Sequence, residues 1–338
     1  MLIINEHVEP KSSKLTRVLL LIAVACLLPG LAYARPGVAP VELVDALKLV
    51  FGAQHRFRAN HANGLMLTGT FSPHPDAALV TRAVHFQSAP VPATVRFSNF
   101  GGNAHVPDAD SGAAPYGMSV KFALPDGTET DLVMHSFNGF PSRTSAEFRD
   151  FLIAIGKSPA GGPRPSALES YAAAHERAKF FLDAEKRPPQ SFASQPYFGV
   201  NTFKFIDAAG AVRFGRYRFV PVGAARYLDP KRAAVAPNDY LRVEIRERIR
   251  QGPVAMKLLL QLADQGDALD DPSIAWPEER RFVELGTLSI STIETDSAAL
   301  ERTLSFFPGD LPDGIEVQDP MLKDRDKAYA ESIERRQR

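Results

Sequence analysis

The sequence predicts an α+β protein built on a closed antiparallel eight-stranded β-barrel with surrounding helices, and three observations predict it. Eight segments have strand character, they fall into two sets of four, and a helical region separates the sets. Turn signals join neighbours within the sets, Pro125-Asp126-Gly127 in the first and Ala208-Ala209-Gly210 in the second, as antiparallel hairpins require. A sheet of this size closes on itself and can hold one small ligand at its mouth.

In chain order, Pro40–Phe51 carries Leu43, Val44, Leu47, Val50 and Phe51 at helical spacing. The first strand set is Leu65–Phe71, Thr94–Phe100, Gly117–Leu124 and Asp131–Phe137. Helices follow at Ser145–Ile155 and Ser166–Leu182. The second set is Gly199–Ile206, Val212–Val220, Val254–Leu262 and Phe282–Ile293. Between its second and third members, Asn238–Arg250 opens on an asparagine suited to capping and is dense in Glu/Arg pairs, so it reads as an exposed helix.

Lys11, Lys14 and Arg17 precede an apolar run, Val18–Leu28, that ends in Pro29-Gly30 and then Ala32-Tyr33-Ala34. That is the pattern of a secretory signal peptide, 1–34, cut after Ala34, and the run is short of the roughly 20 residues a membrane span needs. The expected mature chain, 35–338, is a single domain, periplasmic or secreted, with no stable membrane span. Cys26, the only cysteine, falls in the leader, which leaves no disulfide or thiolate chemistry. With 39 basic and 39 acidic residues the net charge is zero, so no global field steers nucleic acid.

Candidate chemistry begins at His55–Gly64, HRFRANHANG, where Arg58 and His61 stand three apart just before a strand. Arg96 and Ser98 share one face of the next strand at a spacing of two. Near the other end, Leu311–Tyr329 reads LPDGIEVQDPMLKDRDKAY, where Arg325 and Tyr329, four apart, share a helix face. The Arg325 guanidinium can then lie against the phenol and favour its phenolate. Each pattern alone also fits an ordinary hydrogen-bonded or solvated face.

Together these stretches resemble the haem catalase family. An Arg-x-x-His run, a Val-Arg-Phe-Ser strand, and a Pro-x-Gly-Ile-Glu run followed by Met-Leu and the Arg/Tyr pair are similar to its distal and proximal patterns, and GVNTFKFIDAAGAVRFGRYRFVPV resembles its barrel. The likeness runs from Ala53 to the end and implies a minimal catalase core, similar to the small catalase-related peroxidases, without the helical domain that follows the tyrosine in ordinary catalases. By that resemblance the cofactor is haem b, with Tyr329 on the iron. His61 is then the distal base, steadied by Ser98. Arg58, Arg96 and Arg336 meet haem propionates, Arg325 supports Tyr329, and Phe148 covers the distal face. His135 stands where the family has an asparagine that helps hold peroxide, with Asn138 nearby as the asparagine that a backbone shift would bring in. This departure works against efficient dismutation.

The implied activity is that of an exported haem peroxidase. It reduces hydrogen peroxide or a small organic peroxide, with His61 taking a proton from the near oxygen and returning it to the far one. An unidentified organic electron donor supplies the electrons, or a second peroxide does in a weak catalase activity. Two other readings share the scaffold: a haem enzyme that rearranges hydroperoxides, and a non-catalytic haem- or lipid-binding barrel. A metal site made of His55, His61 and His135 matches no standard ligand spacing. A homo-oligomer is compatible with the sequence.

Overall fold

Alternation of apolar with small or polar residues builds the sheet strand by strand. The computed structural model describes residues 37–52 and 57–338; the expected leader with its cut after Ala34, Cys26 within it, and His55 all lie outside the described residues. Residues 37–338 form one compact unit. Its strands are β1 (Gly64–Pro73), β2 (Val91–Ser98), β3 (Gly117–Ala123), β4 (Glu129–His135), β5 (Tyr197–Phe198), β6 (Phe203–Ile206), β7 (Val212–Pro221), β8 (Val254–Leu262), β9 (Phe282–Ile293) and β10 (Ile315–Val317). The hydrogen-bonded ring runs β1, β2, β3, β4, β5, β7, β8, β9 and back to β1, every pair antiparallel. That is the expected closed eight-stranded barrel, with β6 and β10 extending from β7 as an annex.

One ring member differs from expectation. The segment Gly199–Ile206 does not fill the fifth place; the two-residue β5 does, through a single pairing of His135 with Phe198 and two with β7. The chain turns out of the ring at Asn201, whose amide donates to Asp319 (2.7 Å), and at Thr202, whose hydroxyl accepts from Arg216. Tertiary hydrogen bonds override the strand pattern there.

Eight helices accompany the barrel among the described residues: α1 (Pro40–Phe51), α2 (Ser145–Gly156), α3 (Ala167–Ala174), α4 (Glu176–Asp183), α5 (Pro230–Ala234), α6 (Tyr240–Gln251), α7 (Ser297–Thr303) and α8 (Met321–Gln337). The single helix expected over Ser166–Leu182 is split at His175, whose backbone is extended (φ −131°, ψ 93°) and whose ring stacks on Tyr171 at 3.8 Å. Asn238 is not the cap of α6. Its carbonyl accepts from Asp108, and the Asp108 carboxylate accepts the Leu241 N–H at 2.9 Å, so a distant residue caps the helix.

The barrel interior is filled rather than hollow. Val95 and Phe97 of β2, Met118, Val120 and Phe122 of β3, and Leu132 and Met134 of β4 point inward to meet Phe71, Leu258 and Leu288. Phe71 is fully buried and packs edge-on against Phe86 and Phe122, at 5.8 and 5.1 Å between ring centres. Truncating it removes contacts to both sides of the barrel. Phe71→Ala lowers stability by about 3–5 kcal/mol, read from denaturant unfolding of purified protein.

Candidate active site

Antiparallel register sets the site. Gly64, Ser98, Gly117 and His135 pair in one row across β1 to β4, and Met66, Arg96, Ser119 and Val133 pair in a row two residues further in. Because β2, β3 and β4 send Val95, Phe97, Met118, Val120, Leu132 and Met134 inward, the residues alternating with them, Arg96, Ser98, Ser119, Val133 and His135, face outward. The cavity they line therefore lies on the outer face of the barrel, not at its mouth as the fold class alone suggested. Helices close it. α1 contributes Leu43, Val44 and Leu47, α2 contributes Phe148, and α8 contributes Arg325, Ala328, Tyr329, Ser332 and Arg336, which recur on one helical face.

The candidate residues Arg58, His61, Arg96, Ser98, His135, Phe148, Arg325, Tyr329 and Arg336 all line this one cavity. Asn138 does not; its amide reaches Glu278 instead. Among the described residues no cluster of three or more His, Cys, Asp or Glu could hold a metal ion.

His61 has a left-handed backbone (φ 55°), uncommon for a residue other than glycine. Three hydrogen bonds hold it so: its N–H donates to Phe100 O (2.7 Å), the Ala62 N–H to Gly101 O (2.9 Å), and Arg96 Nη2 to its carbonyl (2.6 Å). The ring is fixed by Ser98 Oγ, 3.1 Å from Nδ1, and by an edge-on contact with Phe100. Gly117 makes room for it, since a Cβ there would stand 2.7 Å from Nδ1 and 2.6 Å from Ser98 Oγ. Burial, reinforced by the charge of Arg96, pushes the imidazole pKa down to about 3.

His135 is also driven down to about 3, by burial and then by Arg325. Its Nδ1 accepts from the Phe137 N–H at 3.4 Å, which leaves the proton on Nε2, a buried atom with no hydrogen-bond partner. Phe148 packs on Phe140, with ring centres 4.8 Å apart. On the α8 side, Arg325 Nη2 donates to Tyr329 Oη at 2.9 Å, while Nη1 donates to Asn201 Oδ1. Asp319 accepts from the Asn201 amide and from the Met321 N–H, so a chain of polar groups anchored at the helix start aims the guanidinium at the phenol.

The arginines converge on a carboxylate that the sequence reading missed. Glu301 of α7 accepts from Arg58 Nε (3.1 Å) and Arg96 Nε (2.7 Å). Burial works against its charge, yet Arg96 and Arg58 hold its carboxyl below the usual range. Arg336 donates to the carbonyls of Arg302 and Leu304, while its neighbours Arg335 and Arg338 turn to surface carboxylates. Burial and the nearby Arg96 bring Arg58 down to about 9. Three guanidiniums and one carboxylate leave two positive charges in excess. A glycine at 64 permits the cluster, since a Cβ would stand 2.2 Å from Arg96 Nη2 and 2.3 Å from Glu301 Oε1.

A fully antiparallel barrel carrying a neutral histidine and an arginine-supported tyrosine in one outer cavity defines a class of ligand-binding enzyme scaffold, and comparisons narrow it. The catalase family model matches residues 52–337. The chain is 35% identical over 304 residues to a catalase-related peroxidase of Mycolicibacterium paratuberculosis, covering 89% of this chain and 95% of the relative. It is 31% identical over 310 residues to a catalase-related peroxidase of Synechococcus elongatus, covering 90% and 91%. A solved fungal catalase superposes with a TM-score of 0.73 at 19% identity, over 84% of this chain and 59% of that one. Catalase A from Saccharomyces cerevisiae does so with a TM-score of 0.73 at 19% identity, over 83% and 61%. The chain belongs to the catalase family.

Removing the shared carboxylate leaves the buried Arg96 and Arg336 and the half-buried Arg58 facing one another. Glu301→Gln destabilises the cofactor-free protein by about 3 kcal/mol in denaturant titrations, as expected for a buried pair that loses one partner.

Proposed function

We propose that this protein is an exported haem peroxidase of the catalase family that reduces hydrogen peroxide or small organic peroxides with electrons from an organic donor. As a member of that family it is an oxidoreductase acting on peroxide. The observation that carries the reading is the joining of His61, steadied by Ser98, with the Arg325–Tyr329 pair in the lining of a single cavity. Export rests on the leader pattern of residues 1–34.

The residues present fit haem b. Two excess positive charges match two propionates, apolar residues such as Val44, Phe140 and Phe148 suit a flat macrocycle, and a phenol backed by a guanidinium suits ferric iron. Arg58, Arg96 and Arg336 would hold the carboxylates and Tyr329 would ligate the metal. When bound, haem supplies a Lewis-acidic, redox-active centre for cleavage of the peroxide O–O bond.

The protein's own part is proton handling and positioning. His61 is neutral throughout the physiological range, so with Nδ1 engaged by Ser98 its Nε2 accepts the proton of the near peroxide oxygen and returns it to the far one, which departs as water or alcohol. The unpartnered Nε2–H of His135 is a second donor beside the peroxide, in the place of the family asparagine. It is a ring N–H of different reach from an amide, which favours reduction by an organic donor over dismutation of a second peroxide.

The reading is tested by reconstituting purified protein with haem. A ferric spectrum that changes in Tyr329→Phe supports ligation by the phenol, and His61→Asn slows the reaction with peroxide by about 100- to 10,000-fold. Failure to take up haem sinks the proposal.

The pH dependence follows from the sign of the histidine shift. An imidazole with an ordinary pKa near 6.5 would be protonated and lost as a base in mild acid, whereas one lowered to about 3 stays available. The rate constant for peroxide is therefore flat from about pH 5 to 8 in stopped-flow measurements, and an inflection near pH 6.5 would contradict it.

A further inference from the structure

A second cavity lies against the first and shares a wall with it. Arg58 lines both, Glu301 lines the new cleft alone, and the new cleft is otherwise formed by Phe57, the Ala62–Gly64 turn, Ala104–Val106, the start of α6, the stretch Ile293–Asp296 and α7. The Arg58–Glu301 ion pair, with side chains 15% and 17% exposed, is the partition between them.

We infer that this cleft binds the organic electron donor, and that the donor is an uncharged phenol. The inference rests on the peroxidase reading and supplies its missing substrate class. Charge argues first. Four arginines, Arg58, Arg242, Arg246 and Arg302, face four carboxylates, Asp239, Glu294, Asp296 and Glu301, so the lining is neutral and holds no excess cation for an anionic reductant. Composition argues second: Phe57, Val106 and Ile293 offer a ring an apolar face, while the charged and amide groups offer its hydroxyl both donors and acceptors. Position argues third. A phenol against Arg58 stands one guanidinium away from the carboxylate that Arg58 would hold, whereas the cavity beside His61 remains open to peroxide.

The chemistry balances. Two phenols each lose the hydrogen of their O–H, one electron passing inward past Arg58 and one proton leaving to the water of the open cleft. The two electrons reduce the O–O bond of one hydrogen peroxide, and two protons complete two waters. Two phenoxyl radicals leave from the cleft.

The test uses 2-methoxyphenol and two exposed positions of the cleft, Ala298 on α7 and Arg246 on α6. In haem-reconstituted protein, Ala298→Trp fills the cleft and raises KM for 2-methoxyphenol about tenfold or more. Its reaction with peroxide in the absence of donor, and its uptake of haem, match the parent, as expected when only uniform binding is removed. Arg246→Ala raises KM in the same direction and guards against misfolding of the tryptophan variant. An independent readout needs no turnover: saturation-transfer NMR of 2-methoxyphenol with haem-free protein gives a signal that Ala298→Trp abolishes. In the parent, 4-hydroxybenzoate is oxidised with a higher KM than 2-methoxyphenol. Unchanged KM in both variants, together with unchanged saturation transfer, overturns the assignment of the cleft while leaving the peroxidase reading intact. A carboxylated donor preferred over the neutral one overturns the substrate class. A parent that takes up haem yet oxidises no donor overturns the peroxidase reading, and this inference with it.

Discussion

The period-two alternation of an antiparallel sheet, locked in register across four strands, is the constraint on which the rest depends. Rows that cross β1 to β4 without a slip send Phe97, Met118 and Met134 into the barrel, and put Arg96, Ser98 and His135 on the outer face. A shift of one residue in β2 would bury a guanidinium among phenylalanines and turn an aromatic ring toward the cavity. Core packing and site geometry are thus one requirement, met by the same strands.

Electrostatics then divides the cavity into two regimes. Around Arg58, Arg96 and Arg336, positive charge exceeds the single counter-charge of Glu301. Around His61 and His135, burial removes charge altogether. Arg96 links the two, because its Nε donates to Glu301 while its Nη2 donates to the His61 carbonyl and helps hold that residue in its left-handed conformation. On the α8 side, helical spacing alone brings Arg325 to Tyr329, and the chain through Asn201 to Asp319 fixes the approach.

Much of this was legible in the sequence, and what was not has physical causes. Long strands announce themselves by alternation, and Arg325 with Tyr329 by a spacing of four. β5 could not be found, because two residues have no period and are held by neighbours rather than by their own preference. The cap of α6 was misassigned to Asn238 because Asp108, the residue that caps it, is remote in the chain. Glu301 stands in a seven-residue helix among other charges, and nothing local marks it as the partner of two arginines. Placing the cavity outside the barrel was within reach: Arg96 and Ser98 alternate with Val95 and Phe97, and a barrel packed with those apolar residues has no room inside.

The rows also sort the connections between strands by how freely they can drift in evolution. Gly64, Ser98, Gly117 and His135 mark one end of their strands, so the β1–β2 link and the β3–β4 hairpin around Gly127 lie at the opposite end. Loops there can gain or lose residues across a lineage without displacing a single cavity group. The β2–β3 link leaves Ser98 through Phe100, which steadies the His61 ring, and returns at Gly117, so its length is tied to the site itself. Insertions accumulating among descendants of such a barrel should therefore mark the end away from the chemistry.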